Sequence, residues 1–147
     1  MDDLQRWQTN EAIRRVIALY AQLLDSRRLD EWSDLFRDDA RFRVYGQTFL
    51  GREKIAREIG SMQPPPDRPV KHICLTPVID LDGDARALAW TDFTAFGTSE
   101  DGRIEIATIG RYYDELLRDD ERWRFSSRTI VMANESLPSD LTPGPAS

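Results

Sequence analysis

The run IRRVIALYAQLLDSRRLDEWSDLFRDD, residues 13–39, decides how this chain is read. Ile13, Ile17, Tyr20 and Leu24 recur at three- and four-residue steps, which places them on one stripe of a helix that must be buried against something. Asp25 closes that helix beside the stripe, on the side of Ala18 and Ala21. A carboxylate there either caps a turn at the surface or is held in a pocket. Leu29, Trp32, Leu35 and Phe36 then repeat the helical spacing, with Asp30 and Glu31 near the N-terminal end where the helix dipole favours them.

Working outward, residues 1–9 are polar and read as frayed, with the helix beginning near Thr9 or Asn10. Downstream the period changes from helical to alternating. Phe42 and Val44 against Arg41, Arg43 and Tyr45 predict a strand, Gly46 breaks it, and Thr48 to Leu50 return as a hairpin partner. A third helix is predicted over Glu53 to Met62, stopped by Pro64, Pro65 and Pro66. Four long strands follow: Val70 to Leu81, bulged at Pro77, then Ala85 to Phe96, Arg103 to Leu117 and Arg122 to Ala133. Short polar turns join them, so they form an antiparallel meander, and the clustering of helices at the N-terminal end makes the class α+β. A curved sheet with helices across its concave side encloses a conical cavity. Residues 1–135 form one domain, and residues 136–147, rich in Pro, Ser and Gly, read as a flexible tail.

Composition narrows the partners. Twenty basic against twenty-six acidic side chains lack the clustered basic footprint that nucleic acid requires. No apolar run approaches the roughly 20 residues of a membrane span, and Met1-Asp2-Asp3 carries the wrong charge for a secretory leader. A lone Cys74 excludes an internal disulfide and fits a reducing cytoplasm. One histidine and one cysteine make a dedicated transition-metal site improbable.

Tyr20 followed by Asp25, then Asp30, Trp32, Leu35-Phe36 and Asp38-Asp39-Ala40, resembles the opening of the SnoaL-like branch of the NTF2-like superfamily. The later run Gly110 to Glu115, then Trp123-Arg124-Phe125 and Arg128, is similar to that branch's closing hairpin. The resemblance implies a cystatin-like cone, with N-terminal helices packed on a curved, mostly antiparallel sheet. It also implies a homodimer or homotrimer through the sheet. Within the branch the nearest pattern is that of scytalone dehydratase, bile-acid dehydratase and hexachlorocyclohexane dehydrochlorinase. In these an Asp ends helix one and a His begins the strand after the loop.

Carried over by position, the resemblance makes His72 a general base and Asp25 its orienting partner, with Tyr20, Arg128 and Phe42 as substrate-binding residues. The implied activity is a cofactor-independent lyase, a dehydratase-type elimination on a small to medium hydrophobic oxygenated substrate. The alternatives are an isomerase or polyketide-type cyclase using the same proton abstraction, and a non-catalytic β subunit or ligand-binding module. The residues temper this. Strict alternation from Trp123 and Phe125 turns Arg128 to the opposite face, so it enters the cavity only if the strand bulges. Tyr20 and Phe42 read equally well as plain core, and Trp32 and Trp123 as core anchors. The first strand offers no carboxylate where ketosteroid isomerases carry their base, which counts against that chemistry.

Overall fold

The first helix begins earlier than its apolar stripe suggests. In a computed structural model, which describes residues 1–145, α1 spans Asp3–Asp25 because Asp2 and Gln5 form a capping box. The Gln5 amide N–H donates to the Asp2 carboxylate at 2.8 Å, and the Asp2 N–H donates to the Gln5 side chain at 2.9 Å. The predicted fraying of residues 1–9 is thus corrected by a cap that apolar periodicity does not register. The second helix, α2 (Leu29–Ser33), is shorter than predicted, and Phe36 already belongs to β1 (Phe36–Val44). β2 (Gln47–Leu50) and α3 (Arg52–Ser61) follow.

The predicted strand from Val70 to Leu81 is two strands, β3 (Lys71–Cys74) and β4 (Val78–Asp82), each paired with β5 (Arg86–Thr98). The break includes Pro77, which has no N–H to give a ladder. β6 (Ile104–Asp119) and β7 (Arg122–Met132) complete a sheet in the order β2-β1-β7-β6-β5-β3. The β1–β7 pair is parallel and every other pair antiparallel. The chain therefore has the cystatin-like architecture of NTF2-like proteins, helices against a mixed, curved sheet.

The ladders shift register in three places, one between Phe36 and Arg41 of β1 where it pairs with β7, and two at bulges in the long antiparallel strands. In β6 the partners shift between Ala95–Thr108 and Phe96–Ile106, which leaves Ala107 over. In β7 they shift between Glu115–Ser127 and Leu116–Phe125, which leaves Ser126 over. The second bulge reverses the alternation predicted from Trp123 and Phe125. Phe125 and Arg128 both face inward and are both fully buried.

The concave face and α1 enclose an aromatic core. Tyr20, Trp32, Phe36, Phe42 and Phe125 are all buried, with ring centroids 4.9–6.4 Å apart in the pairs that touch. Tilted and edge-on contacts of this kind stabilise each pair by about 0.5–1.5 kcal/mol beyond the area they bury. Trp32 and Trp123 are core residues, as their spacing predicts. Residues 136–145 lie along the outer face of the sheet and do not cross the mouth of the cone. Asp140 pairs with Arg43 at 3.0 Å, and the Arg111 guanidinium donates to the Pro143 carbonyl at 3.4 Å. Leu141 and Thr142 share an outer groove with Trp90.

Candidate active site

Asp25 is the last residue of α1. A carboxylate at a helix C-terminus opposes the helix dipole, so it needs compensation when it is also buried. β3 supplies it from a single residue. The His72 backbone N–H donates to Asp25 Oδ2 at 2.8 Å, and His72 Nδ1 lies 2.6 Å from Asp25 Oδ1. The carboxylate thus holds both the strand and the ring. With an ionised Asp25 as acceptor, Nδ1 carries the proton and Nε2 keeps a free lone pair. The two side chains differ in exposure, 6% for Asp25 and 16% for His72, so the imidazole stands on the open side of the pair.

That open side is a cavity of about 340 Å³. His72 is on its wall, together with Tyr20, Phe42, Phe93 and Tyr112. Leu24, Val44, Ile59 and Ile130 add to an apolar lining, and the exposed Tyr45 and Met62 stand at its edge. Of the residues singled out in the sequence, His72, Tyr20 and Phe42 therefore line one cavity, with Asp25 hydrogen-bonded to His72. Among the described residues no group of three or more His, Cys, Asp or Glu side chains is arranged to hold a metal ion.

Arg128 is the exception to the expected grouping. It faces the interior but is not on the cavity wall. Its Nε and Nη2 donate to the two Asp114 oxygens at 2.7 and 2.8 Å, and both side chains are 0% exposed. The guanidinium carbon lies 4.0 Å from the Tyr20 ring centre, 3.9 Å from that of Tyr112 and 4.4 Å from that of Phe125. Three rings thus form a cage around the cation. Nη1 has no hydrogen-bond partner among the described residues. Asp114 and the ring cage thus hold Arg128 behind the cavity lining, apart from His72, Tyr20 and Phe42. Burial works against the Arg128 charge, but Asp114 more than offsets this and holds the guanidinium above its ordinary value. Burial pushes the Asp114 carboxyl up, and the Arg128 charge opposes that.

Asp114 and Tyr112 were missed as site residues. Both belong to the Gly110 to Glu115 run quoted from the sequence, which marks the fold without marking a role. The available signal was alternation, since residues 112, 114 and 116 share the inner face of β6. Tyr112 stacks on Phe93 with centroids 4.2 Å apart and planes 8° from parallel. Gly110 makes room for this pair, because a Cβ there would come within 2.9 Å of the Phe93 ring and 2.5 Å of the Val131 carbonyl oxygen. Burial raises the Tyr20 and Tyr112 phenols above their ordinary values, so both remain hydrogen-bond donors across the physiological range. Cys74, next to His72 on the same face of β3, is also raised by burial, with the Tyr112 hydroxyl beside it acting in the other direction.

The SnoaL-like domain model matches residues 5–129. The chain belongs to the SnoaL-like family. Solved structures similar to it include a proposed scytalone dehydratase of Novosphingobium aromaticivorans, with a TM-score of 0.75 and 20% identity over 97% of this chain and 98% of that one. LinA has a TM-score of 0.77 and 20% identity, covering 99% of this chain and 100% of its own. The β subunit of a proposed aromatic-ring-hydroxylating dioxygenase, also from Novosphingobium aromaticivorans, has a TM-score of 0.76 and 22% identity over 90% and 94%. At these identities the likeness is one of fold. No curated protein matches the sequence significantly. Among the described residues no helix is long and apolar enough to cross a membrane.

Proposed function

We propose that this SnoaL-like protein is a cofactor-independent lyase in which His72 removes a proton from carbon and a group departs from the neighbouring carbon. The observation that carries the reading is the 2.6 Å contact between His72 Nδ1 and Asp25 at the wall of an apolar cavity. Asp25 sets the tautomer and stabilises the imidazolium that forms. Nε2 takes the proton, the C–H electron pair becomes the new double bond, and the leaving group carries off its own bonding pair. When that group is hydroxide, the proton on His72 Nε2 can pass to it and leave as water. The imidazole is then neutral again, so one base completes the cycle. An imidazole suits this double duty because the same ring nitrogen can take up a proton and give it back. The lining favours a small to medium hydrophobic substrate.

The test is incubation of the protein with β-hydroxy ketones in deuterium oxide, followed by proton NMR. Loss of the α-proton signal together with appearance of a vinyl signal supports elimination. Exchange without a vinyl product moves the assignment to an isomerase or cyclase using the same base. Neither change across a substrate panel, together with purification in a larger complex, supports a subunit role like that named for the dioxygenase neighbour. The face of the sheet bearing Ile73, Leu75 and Ile109, each 42–60% exposed, is the surface through which a homodimer or homotrimer would form.

A further inference from the structure

The first helix ends on a residue its geometry does not favour. The Arg28 N–H donates to the Leu23 carbonyl at 2.9 Å and the Arg27 N–H to the Leu24 carbonyl at 3.0 Å, which is the Schellman pattern. That pattern puts Arg27 in the left-handed region, with φ of 58°, where glycine is usual and an L side chain is resisted. A long side chain kept at such a position points to a use beyond ending the helix.

The guanidinium shows that use. It reaches the segment between α3 and β3, where Nη2 donates to the Pro64 carbonyl. Gln63 and Pro64 line the same cavity as His72, so the hydrogen bond fixes a wall residue through its backbone. Asp25, on the same turn of chain as Arg27, holds His72 at the start of β3. The end of α1 therefore grips one segment twice, at Pro64 and at His72. The chain between these grips is stiff. Pro64, Pro65, Pro66 and Pro69 have fixed φ, and the Arg68 N–H closes a turn on the Pro65 carbonyl at 2.9 Å. The Thr98 hydroxyl donates to the Pro69 carbonyl at 2.9 Å, and the Gln63 side-chain amide to the Ile59 carbonyl at 2.9 Å. A segment tethered in this way is a fixed wall rather than a swinging flap.

We propose that Arg27 is a specificity-determining residue, which holds the Pro64 wall in place and so sets the upper size limit of the apolar ring compounds that reach His72. It touches no substrate and acts through the wall, as a positioning residue. A ligand within the limit binds with Pro64 where it stands. A larger one has to push Pro64 outwards and break the Arg27 hydrogen bond, and the cost of that bond is the discrimination. The proposal rests on the cavity as the ligand site and not on proton abstraction by His72, so it applies equally to elimination, isomerisation or cyclisation there.

The experiment measures binding of phenol, 2-naphthol and 2-phenanthrol, with one, two and three fused rings, by equilibrium dialysis against the wild type, Arg27→Gly and Arg27→Asn. Glycine and asparagine both suit a left-handed backbone, so α1 keeps its end in either variant. Each variant is expected to bind 2-phenanthrol about three- to tenfold more tightly than the wild type does, the effect of one ordinary hydrogen bond. Affinity for phenol and 2-naphthol should stay as it was. A gain confined to the largest probe is not what a damaged fold produces. An unchanged preference among the three probes would overturn the proposal, and so would a parallel weakening of all three, which would reduce Arg27 to holding the fold. Absence of binding by the wild type to any probe would overturn it as well, by removing the cavity as a ligand site. Binding is read here without turnover, so a protein that shows the shift but exchanges no α-proton refutes the lyase reading and leaves the size limit standing.

Discussion

Two carboxylates with basic partners lie inside this cone, and the difference between the pairs shows what burial does to chemistry. His72–Asp25 sits where α1 meets β3, with 16% of the imidazole exposed to the cavity. Arg128–Asp114 joins β7 to β6 and is 0% exposed on both sides. Each carboxylate accepts two hydrogen bonds, but only the first pair ends in an imidazole that faces open space. The second pair has a permanent cation enclosed by rings. The first pair is suited to moving a proton, and the second to holding a shape.

Substituting one member of each pair separates the two roles. His72→Ala is expected to lower kcat/KM by about 10²- to 10⁴-fold. Its melting temperature should stay close to that of the wild type, as checked by calorimetry, because the backbone N–H to Asp25 survives. A collapse of the fold would make His72 structural. Arg128→Met should do the reverse and cost about 3–5 kcal/mol of stability by denaturant unfolding, because Asp114 is left buried without its cation. The deficit has a pH signature. In that variant burial alone acts on Asp114, so the folded state keeps a proton that the unfolded chain releases above about pH 3.9. The folded state then binds more protons, and stability falls as pH rises from there towards the raised folded value. A pH-independent deficit would show that Asp114 had found another partner.

Asp25→Asn keeps the shape of the pair and removes its charge. A charge-assisted hydrogen bond contributes about 1.5–3 kcal/mol, so kcat should fall about 10- to 100-fold, with the imidazole NMR signals reporting a less basic ring. The smallest effect belongs to the outer face. Asp140 is 54% exposed in its pair with Arg43, so Asp140→Ala should shift stability by less than about 1 kcal/mol and leave turnover unchanged. A loss of activity would mean that the tail communicates with the cavity through the sheet.

Legibility followed periodicity. The stripe Ile13, Ile17, Tyr20, Leu24 is the buried face of α1, and the alternation of Phe42 and Val44 is the inner face of β1. Asp25 and His72 were legible only as positions that the family resemblance implies, and the structure brings them into hydrogen-bond contact. The role of Tyr112 and Asp114 was not, because a Tyr-Tyr-Asp run on a strand carries no mark of which members meet an arginine fourteen residues later. The start of α1 was hidden for a related reason, since its cap is made by two polar side chains that hydropathy ignores.

The sequence by itself determined the class of fold and most of the division into helices and strands, because these depend on the spacing of apolar side chains, and it pointed to His72 and Asp25 only through the family resemblance. Only the tertiary structure decided where Arg128 goes. A single extra residue at Ser126 turns the strand's alternation over, and the rings of Tyr20, Tyr112 and Phe125, from three separate elements, then enclose the charge. Such an enclosure is a sum of contacts between segments far apart in sequence, and no local pattern encodes it.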